Sequence, residues 1–96
     1  MIAAMSIYPI GEGVSLGRFV RKGVKIIEES GLPYDVGPMS TSVEVEDLDQ
    51  LFELIKKIHA AQLAEGARRI VIELKVDDRR DKPATIQTKI KSVSSD

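Results

Sequence analysis

The sequence predicts an α+β protein in which two helices cover a four-stranded antiparallel sheet. Two long segments repeat apolar residues every three or four positions, the spacing of a helix with one buried face. Four shorter segments are either continuously apolar or alternate apolar and polar residues, as strands do. Their order is β-α-β-β-α-β, followed by a short C-terminal helix. This order is typical of the ferredoxin-like, or split βαβ, architecture.

Composition indicates one globular domain over residues 1–96, because a chain of 96 residues is too short for two independent cores. A net charge of -1 gives no overall basic field for nucleic acid or an anionic membrane. The absence of cysteine excludes a disulfide scaffold, a cysteine zinc site and thiol catalysis. The N-terminus lacks a basic signal-peptide region, and no apolar run reaches about 20 residues. We therefore expect a soluble, cytoplasmic protein without a membrane partner.

The first half of the chain predicts one helix between strands. The apolar run Ile2–Tyr8 is the first strand, because Pro9 and two nearby glycines end it. Ser15 is the expected N-cap of the first helix, and Gly31 is its left-handed stop. Two extended runs follow on either side of Gly37 and Pro38, namely Tyr34–Val36 and Met39–Val45.

The second half predicts a helix, a strand and a short final helix. Asp47 and Gln50 form a capping-box pattern at the start of the second helix, which Gly66 ends. The last strand is expected at Arg69–Asp77, where apolar and polar residues alternate. Beyond Pro83, three apolar residues have the spacing of a short helix: Ile86, Ile90 and Val93.

The sheet should be covered on one face only. Right-handed crossovers give the strand order 4-1-3-2 and place both long helices on the same side. Strand alternation then assigns to the open face Ala4, Ser6, Tyr8, Ser42, Glu44, Val71, Glu73 and Lys75. This mixture of apolar and charged groups fits subunits packed around a polar pocket. The alternative is a solvated sheet with ordinary cross-strand ion pairs.

The candidate binding cluster lies on the third strand at Thr41, Ser42 and Glu44. A carboxylate can accept two parallel N–H bonds from an amino-substituted nitrogen heterocycle whose ring nitrogen is protonated. The hydroxyls of Thr41 and Ser42 can donate or accept hydrogen bonds at the rim of such a ligand. The alternative interpretation is a strand-stabilising threonine beside a surface glutamate.

Other motifs favour ordinary structural roles. His59 has no metal-ligating partner one helical turn away, so we expect a core-edge histidine and no metal. Arg79 and Arg80 could clamp an anion, but a solvated loop with internal ion pairs is the favoured interpretation. Tyr8 is the sole aromatic residue of the two strands that RNA-binding relatives of this topology use for stacking, so no nucleic acid is expected. No catalytic residues are predicted, since Glu44 would be an isolated acid or base.

Several segments together resemble a known family. They are the run from Tyr34 to Glu46, the run from Gly66 to Val71, the run from Leu74 to Arg80, and the Ser-Ile-Tyr-Pro end of the first strand. The chain is similar, from Ile2 to about Val93, to the thiamine-binding-protein-like family, once catalogued as a domain of unknown function. That family usually has Glu-Gly where this chain has Glu44-Val45, so the carboxylate is retained and the flexible turn is not.

The resemblance implies both an assembly and a ligand. The assembly would be a homotetramer, a dimer of dimers joined through the sheets. The ligand would be thiamine or its hydroxymethylpyrimidine moiety, bound without catalysis and without a cofactor. By position, Thr41, Ser42 and Glu44 would hold the aminopyrimidine, Ser6 and Tyr8 would line the pocket, and Lys75 and Asp77 would be structural. The alternative is a structural or regulatory oligomeric module with no small-molecule ligand.

Overall fold

The structure is a computed structural model that describes residues 1–13 and 16–94. It confirms the predicted α+β class and the predicted order of elements. The N-cap expected at Ser15 lies outside the described residues. The elements are β1 (Ile2–Pro9), α1 (Gly17–Glu29), β2 (Tyr34–Val36), β3 (Thr41–Glu44), α2 (Leu48–Ala64), β4 (Ile70–Asp77) and α3 (Ile86–Ser94).

The four strands form one antiparallel sheet in the order β2-β3-β1-β4, which is the predicted order read from the opposite edge. β1 pairs with β4 along its whole length, from Ile2 opposite Asp77 to Pro9 opposite Ile70. Its pairing with β3 ends earlier, at Met5 opposite Thr41. The half of β1 after Met5 therefore has no strand partner on the β3 side.

The core lies between the sheet and the two long helices. Ala3, Met5 and Val43 point from the sheet into a buried cluster that α1 and α2 complete. Full burial of each large side chain stabilises the fold by roughly 1.5–3 kcal/mol. Gly23 of α1 is buried and faces Ile58 of α2; a Cβ there would lie 3.4 Å from Cγ2 of Ile58, an ordinary contact distance.

The capping prediction for α2 is confirmed. Asp47 is the N-cap residue, and its Oδ1 accepts a hydrogen bond of 2.8 Å from the backbone N–H of Gln50. The side chain of Gln50 in turn accepts the backbone N–H of Glu46 at 2.8 Å. Side chains thus satisfy one N–H in the first turn of the helix, that of Gln50, and the N–H of Glu46 just before the cap.

The third strand is shorter than predicted. It begins at Thr41 because the preceding residues close a turn, in which the N–H of Gly37 donates to the carbonyl of Ser40 at 2.9 Å. Met39, expected at the start of the strand, lies in this turn and is 86% exposed.

The open face is also less bare than the sequence analysis expected, because α3 packs across one end of it. The backbone N–H of Ile86 donates to Oε1 of Glu44 at 2.6 Å, and Nζ of Lys89 lies 2.6 Å from Oδ2 of Asp77. Ile2 stands in the same row of the sheet as Glu44 and Asp77, and both Ile2 and Ile86 are buried. The rest of this face carries half-buried and exposed residues.

Candidate functional site

A cavity of about 470 Å³ lies beside the unpaired half of β1, and we call it the notch. It exists because β1 continues for four residues after its pairing with β3 ends. The turn between β2 and β3 and the start of α1 form the opposite walls. The polar residues that line the notch are Ser6, Tyr8, Ser40, Thr41 and Glu73, and its apolar lining includes Leu16, Val20, Val36, Pro38 and Met39.

Specific contacts hold the walls of the notch in place. The hydroxyl of Ser6 donates to the carbonyl of Met39 at 2.9 Å and so ties the turn to β1. A Cβ on Gly37 would lie 2.9 Å from the carbonyl oxygen of Ser40, so the turn needs glycine at this position. On the buried side, Nε2 of Gln62 donates to the carbonyl of Ile7 at 2.8 Å. This bond satisfies a backbone acceptor in the part of β1 that lacks a β3 partner.

Tyr8 and Glu73 form a hydrogen-bonded pair in the notch. The phenolic O–H of Tyr8 donates to Oε1 of Glu73 at 2.9 Å. This hydrogen bond, with smaller contributions from desolvation and the charge of Glu73, raises the pKa of Tyr8 above its ordinary value. Tyr8 therefore keeps its proton near neutral pH and acts as a donor, whereas the carboxylate of Glu73 acts as an acceptor.

The five predicted binding residues do not form one cluster. Thr41 stands opposite Met5 on the helix-covered face, and it lines the notch with Ser6 and Tyr8. Ser42 and Glu44 point to the open face, opposite Ala4 and Ile2 respectively, and neither lines the notch. One carboxylate oxygen of Glu44 is already bonded to the N-terminus of α3.

Glu73 is the charged residue of the notch, and it was not among the predicted ligand-binding residues. Alternation placed it on the open face, and the strand order placed β4 beside β1. Its position directly opposite Ser6 depends on the register between these strands. Register follows from the complete packing of the sheet, so the sequence pattern alone gave no reason to prefer Glu73 to Glu44.

Two further cavities flank the notch. A smaller one of about 350 Å³ extends over the open face and shares Ser6 and Glu73 with it. A larger one of about 550 Å³ lies along α1 and contains none of the five predicted residues. Its polar wall consists of long, exposed charged side chains, such as Arg21 and Lys25, which give little geometric selectivity. The notch is therefore the better candidate site.

The charged loop after β4 is internally paired. Nε and an Nη of Arg79 donate to the carboxylate of Asp81 at 2.6 and 3.0 Å. Arg80 makes the same kind of contact with Asp78, with its closest N···O distance at 2.9 Å. These ion pairs raise the pKa of both arginines and lower that of both aspartates. The arrangement favours the solvated-loop interpretation over an anion clamp.

Across 1–13 and 16–94, no group of three or more His, Cys, Asp or Glu residues is arranged to hold a metal ion. In the same part of the chain, no helix combines the length and apolar character needed to cross a membrane.

The fold and the notch define a small ferredoxin-like α+β protein with a cavity of the size that small molecules occupy. Comparison with known families gives a more specific assignment. The model of the thiamine-binding protein family matches residues 3–94, and the chain belongs to this family.

Relatives and solved structures agree with this assignment. The UPF0045 protein YqgV of Bacillus subtilis is 40% identical over 98 residues, covering 97% of this chain and 93% of the relative. A UPF0045 protein of Methanothermobacter thermautotrophicus is 36% identical over 92 residues, covering 95% and 93%. A hypothetical protein of Methanocaldococcus jannaschii superimposes with a TM-score of 0.86 at 34% identity, covering 96% and 93%. A Thermotoga maritima structure described as "a putative thiamine biosynthesis/salvage protein" gives a TM-score of 0.78 at 26% identity, covering 96% of each chain.

Proposed function

We propose that this protein binds thiamine or its hydroxymethylpyrimidine moiety in the notch and leaves the ligand chemically unchanged. The observation that carries the proposal is that a member of the thiamine-binding family has a cavity lined by three of the five predicted binding residues, Ser6, Tyr8 and Thr41. The description of the Thermotoga maritima neighbour supports a thiamine-related role.

The size and lining of the notch suit such a ligand. Small-molecule pockets usually measure about 300–1,000 Å³ and combine apolar walls with a few polar groups that fix orientation. In the notch, Leu16, Val20 and Pro38 offer apolar surface to the faces of a flat ring. The hydroxyls of Tyr8 and Thr41 and the carboxylate of Glu73 offer hydrogen bonds to its edge. We propose no catalytic role for the residues of the notch, neither as a nucleophile activated by a base nor as a pair of catalytic acids.

Isothermal titration calorimetry with thiamine and with free hydroxymethylpyrimidine tests this function. We expect saturable heat with at least one of them and a clear loss of affinity in Thr41→Val, which keeps the shape and removes the hydroxyl. Thr88→Val is the matched control, because Thr88 lies on α3 and makes its hydrogen bonds with Thr85. No heat from either ligand at millimolar concentration would reject the proposal.

We propose that Ser42 and Glu44 contact the ligand only in the assembled protein. Both side chains point to the open face, where they would lie in the interface if another copy covered this face. Titration of Glu44→Ala measures this contribution. An affinity equal to that of the wild type would assign Glu44 to the attachment of α3 alone.

The proposed assembly is a homotetramer built as a dimer of dimers. Ile72 and Leu74, on the helix-covered side of the edge strand β4, are 44% and 37% exposed, and Ile90 on α3 is 47% exposed, which leaves apolar surface on both sides of the sheet for other copies to cover. The same surface also favours the second candidate function, an oligomeric module without a ligand. Native mass spectrometry separates the two candidates, because it reports the number of subunits and any small molecule that co-purifies.

A further inference from the structure

The hydrogen-bonded pair of Tyr8 and Glu73 has a chemistry that selects among ligands. The hydroxyl of Tyr8 is a donor whose hydrogen can rotate about the C–O bond, and the carboxylate of Glu73 is an acceptor only. The two oxygens are 2.9 Å apart, and both side chains line the notch. Adjacent groups of this kind present one donor and one acceptor to a ligand at the same edge of the cavity.

We infer that Tyr8 and Glu73 together recognise the edge of a neutral amino-substituted nitrogen heterocycle, in which an exocyclic amino group lies next to an unprotonated ring nitrogen. This inference rests on the proposed function and names the two groups that read the ligand. The amino group donates to Glu73. The hydroxyl of Tyr8 turns away from Glu73 and donates to the ring nitrogen.

The exchange of hydrogen bonds favours binding of this edge. Before binding, Tyr8 and Glu73 satisfy each other with one hydrogen bond. After binding, that bond is replaced by two bonds to the ligand: the amino group donates to Glu73, which keeps one bond to the charged acceptor, and Tyr8 gains a bond to the ring nitrogen. The ring nitrogen of the ligand does not have to be protonated. A carboxylate alone could bond this nitrogen only if it carried a proton, whereas the hydroxyl of Tyr8 donates to it directly. A ring without the amino group would leave Glu73 with no ligand donor.

The notch also provides the surroundings that such recognition needs. Glu73 stands directly opposite Ser6 on β1, whose hydroxyl is held by the carbonyl of Met39. Ser6 is thus bonded to the turn, whereas Tyr8 and Glu73 are bonded to each other and can exchange partners, next to the hydroxyl of Thr41. The apolar side chains of Leu16 and Val20 lie on another wall and can contact the face of the ring. Glu44, in contrast, is four β1 residues away along the open face and is bonded to α3.

The experiment is a cycle of protein and ligand changes measured by calorimetry. The probes are 4-amino-5-hydroxymethyl-2-methylpyrimidine and the same ring without the amino group. The variants are Tyr8→Phe and Glu73→Gln. Their controls are Tyr34→Phe, which changes the other tyrosine of the chain, and Glu53→Gln on the exposed face of α2. Circular dichroism verifies that each variant is folded.

For the amino compound, we expect a loss of affinity of about 10- to 100-fold in Glu73→Gln and about 3- to 10-fold in Tyr8→Phe, as for charged and neutral hydrogen bonds. The compound without the amino group should bind the wild type more weakly by about the same factor as Glu73→Gln loses. It should lose little more in Glu73→Gln, because the interaction is already absent. Both controls should bind like the wild type.

The results separate this inference from the proposed function. If the wild type binds neither probe nor thiamine, the proposed function fails. If the wild type binds the amino compound but Glu73→Gln weakens both probes equally, Glu73 does not read the amino group and this inference is overturned. Unchanged affinity in both Tyr8→Phe and Glu73→Gln would also overturn this inference, whatever the effect of Glu44→Ala.

Discussion

Removal of the carboxylate of Glu44 should release α3 from the sheet. Oε1 of Glu44 accepts the backbone N–H of Ile86 at 2.6 Å, and this bond lies in a partly buried position at the start of the helix. In Glu44→Ala the N–H loses its partner while Ile86 keeps its place against the sheet. We therefore expect the docked position of α3 to become less stable, with the rest of the fold retained.

The size of the effect follows from the contacts that hold α3. Loss of the partner of a buried donor costs about 1–3 kcal/mol. Burial of Ile86 supplies roughly 1.5–3 kcal/mol, and the solvent-exposed ion pair between Lys89 and Asp77 adds a smaller contribution. Glu44 thus provides a large share of the attachment. Its loss should shift the equilibrium toward undocked α3 by about 5- to 150-fold.

Hydrogen exchange measured by mass spectrometry is the appropriate assay. Amide protection across residues 86–94 should fall in Glu44→Ala by about the same factor, whereas protection in β1 and α2 should change little. Glu46→Ala is the matched control, because it removes the same charge from an exposed residue two positions away. Equal protection of α3 in the wild type and in Glu44→Ala would refute the reasoning, since the helix would then be held by other contacts.

Three further predictions concern the turn that forms a wall of the notch, the buried side chain of Gln62, and the pH dependence of the docking of α3. Gly37→Ala should lower the free energy of unfolding by about 1–3 kcal/mol in urea titration, because its Cβ would lie 2.9 Å from the carbonyl oxygen of Ser40. Gly17→Ala should not, because the atom it would meet is the mobile end of Arg21, so equal losses in both variants would contradict this explanation. Gln62→Ala should lower the free energy of unfolding by about 2–4 kcal/mol, since Gln62 is 1% exposed and bonds the carbonyl of Ile7; a loss below 1 kcal/mol would contradict that role. Finally, the hydrogen bond and charge of Lys89 lower the pKa of Asp77 below 3.8, so the stabilisation is present above that pH and is lost as the pH falls below it. The protection factors of the α3 amides, corrected for the intrinsic exchange rate at each pH, should therefore fall in acid, and Asp77→Asn should reduce this pH dependence.

The sequence predicted those features that local patterns and chain order determine. The cap at Asp47, the alternation of β4 and the neighbouring positions of β1 and β4 depend on adjacent residues or on the handedness of crossovers. All three agree with the structure. Because side chains alternate between the two faces of a strand, the face of each strand residue was also predictable once the extent of each strand was known.

The composition of the site was less predictable, because it depends on where pairing stops. Thr41 and Ser42 are adjacent in sequence but point to opposite faces, so a cluster in the sequence is not a cluster in space. The notch exists because the turn before Thr41 shortens β3; Gly37 and Pro38 indicated a turn, but nothing in the sequence indicated that it would continue through Ser40. The spacing of Ile86, Ile90 and Val93 predicted a helix, but it did not indicate that the helix would pack beside Glu44.

Two sites lie at opposite ends of the open face: the docking site of α3 beside Ile2, and the hydrogen-bonded pair of Tyr8 and Glu73 beside Ser6. Four residues of a strand span about 13 Å, so a label at one site need not touch the other. The chain contains no cysteine, and a thiol introduced at the exposed Gln87 would therefore be unique. A fluorophore attached there would report movement of the terminal helix while the natural tyrosine signal follows occupancy of the cavity, so both events could be timed in one sample.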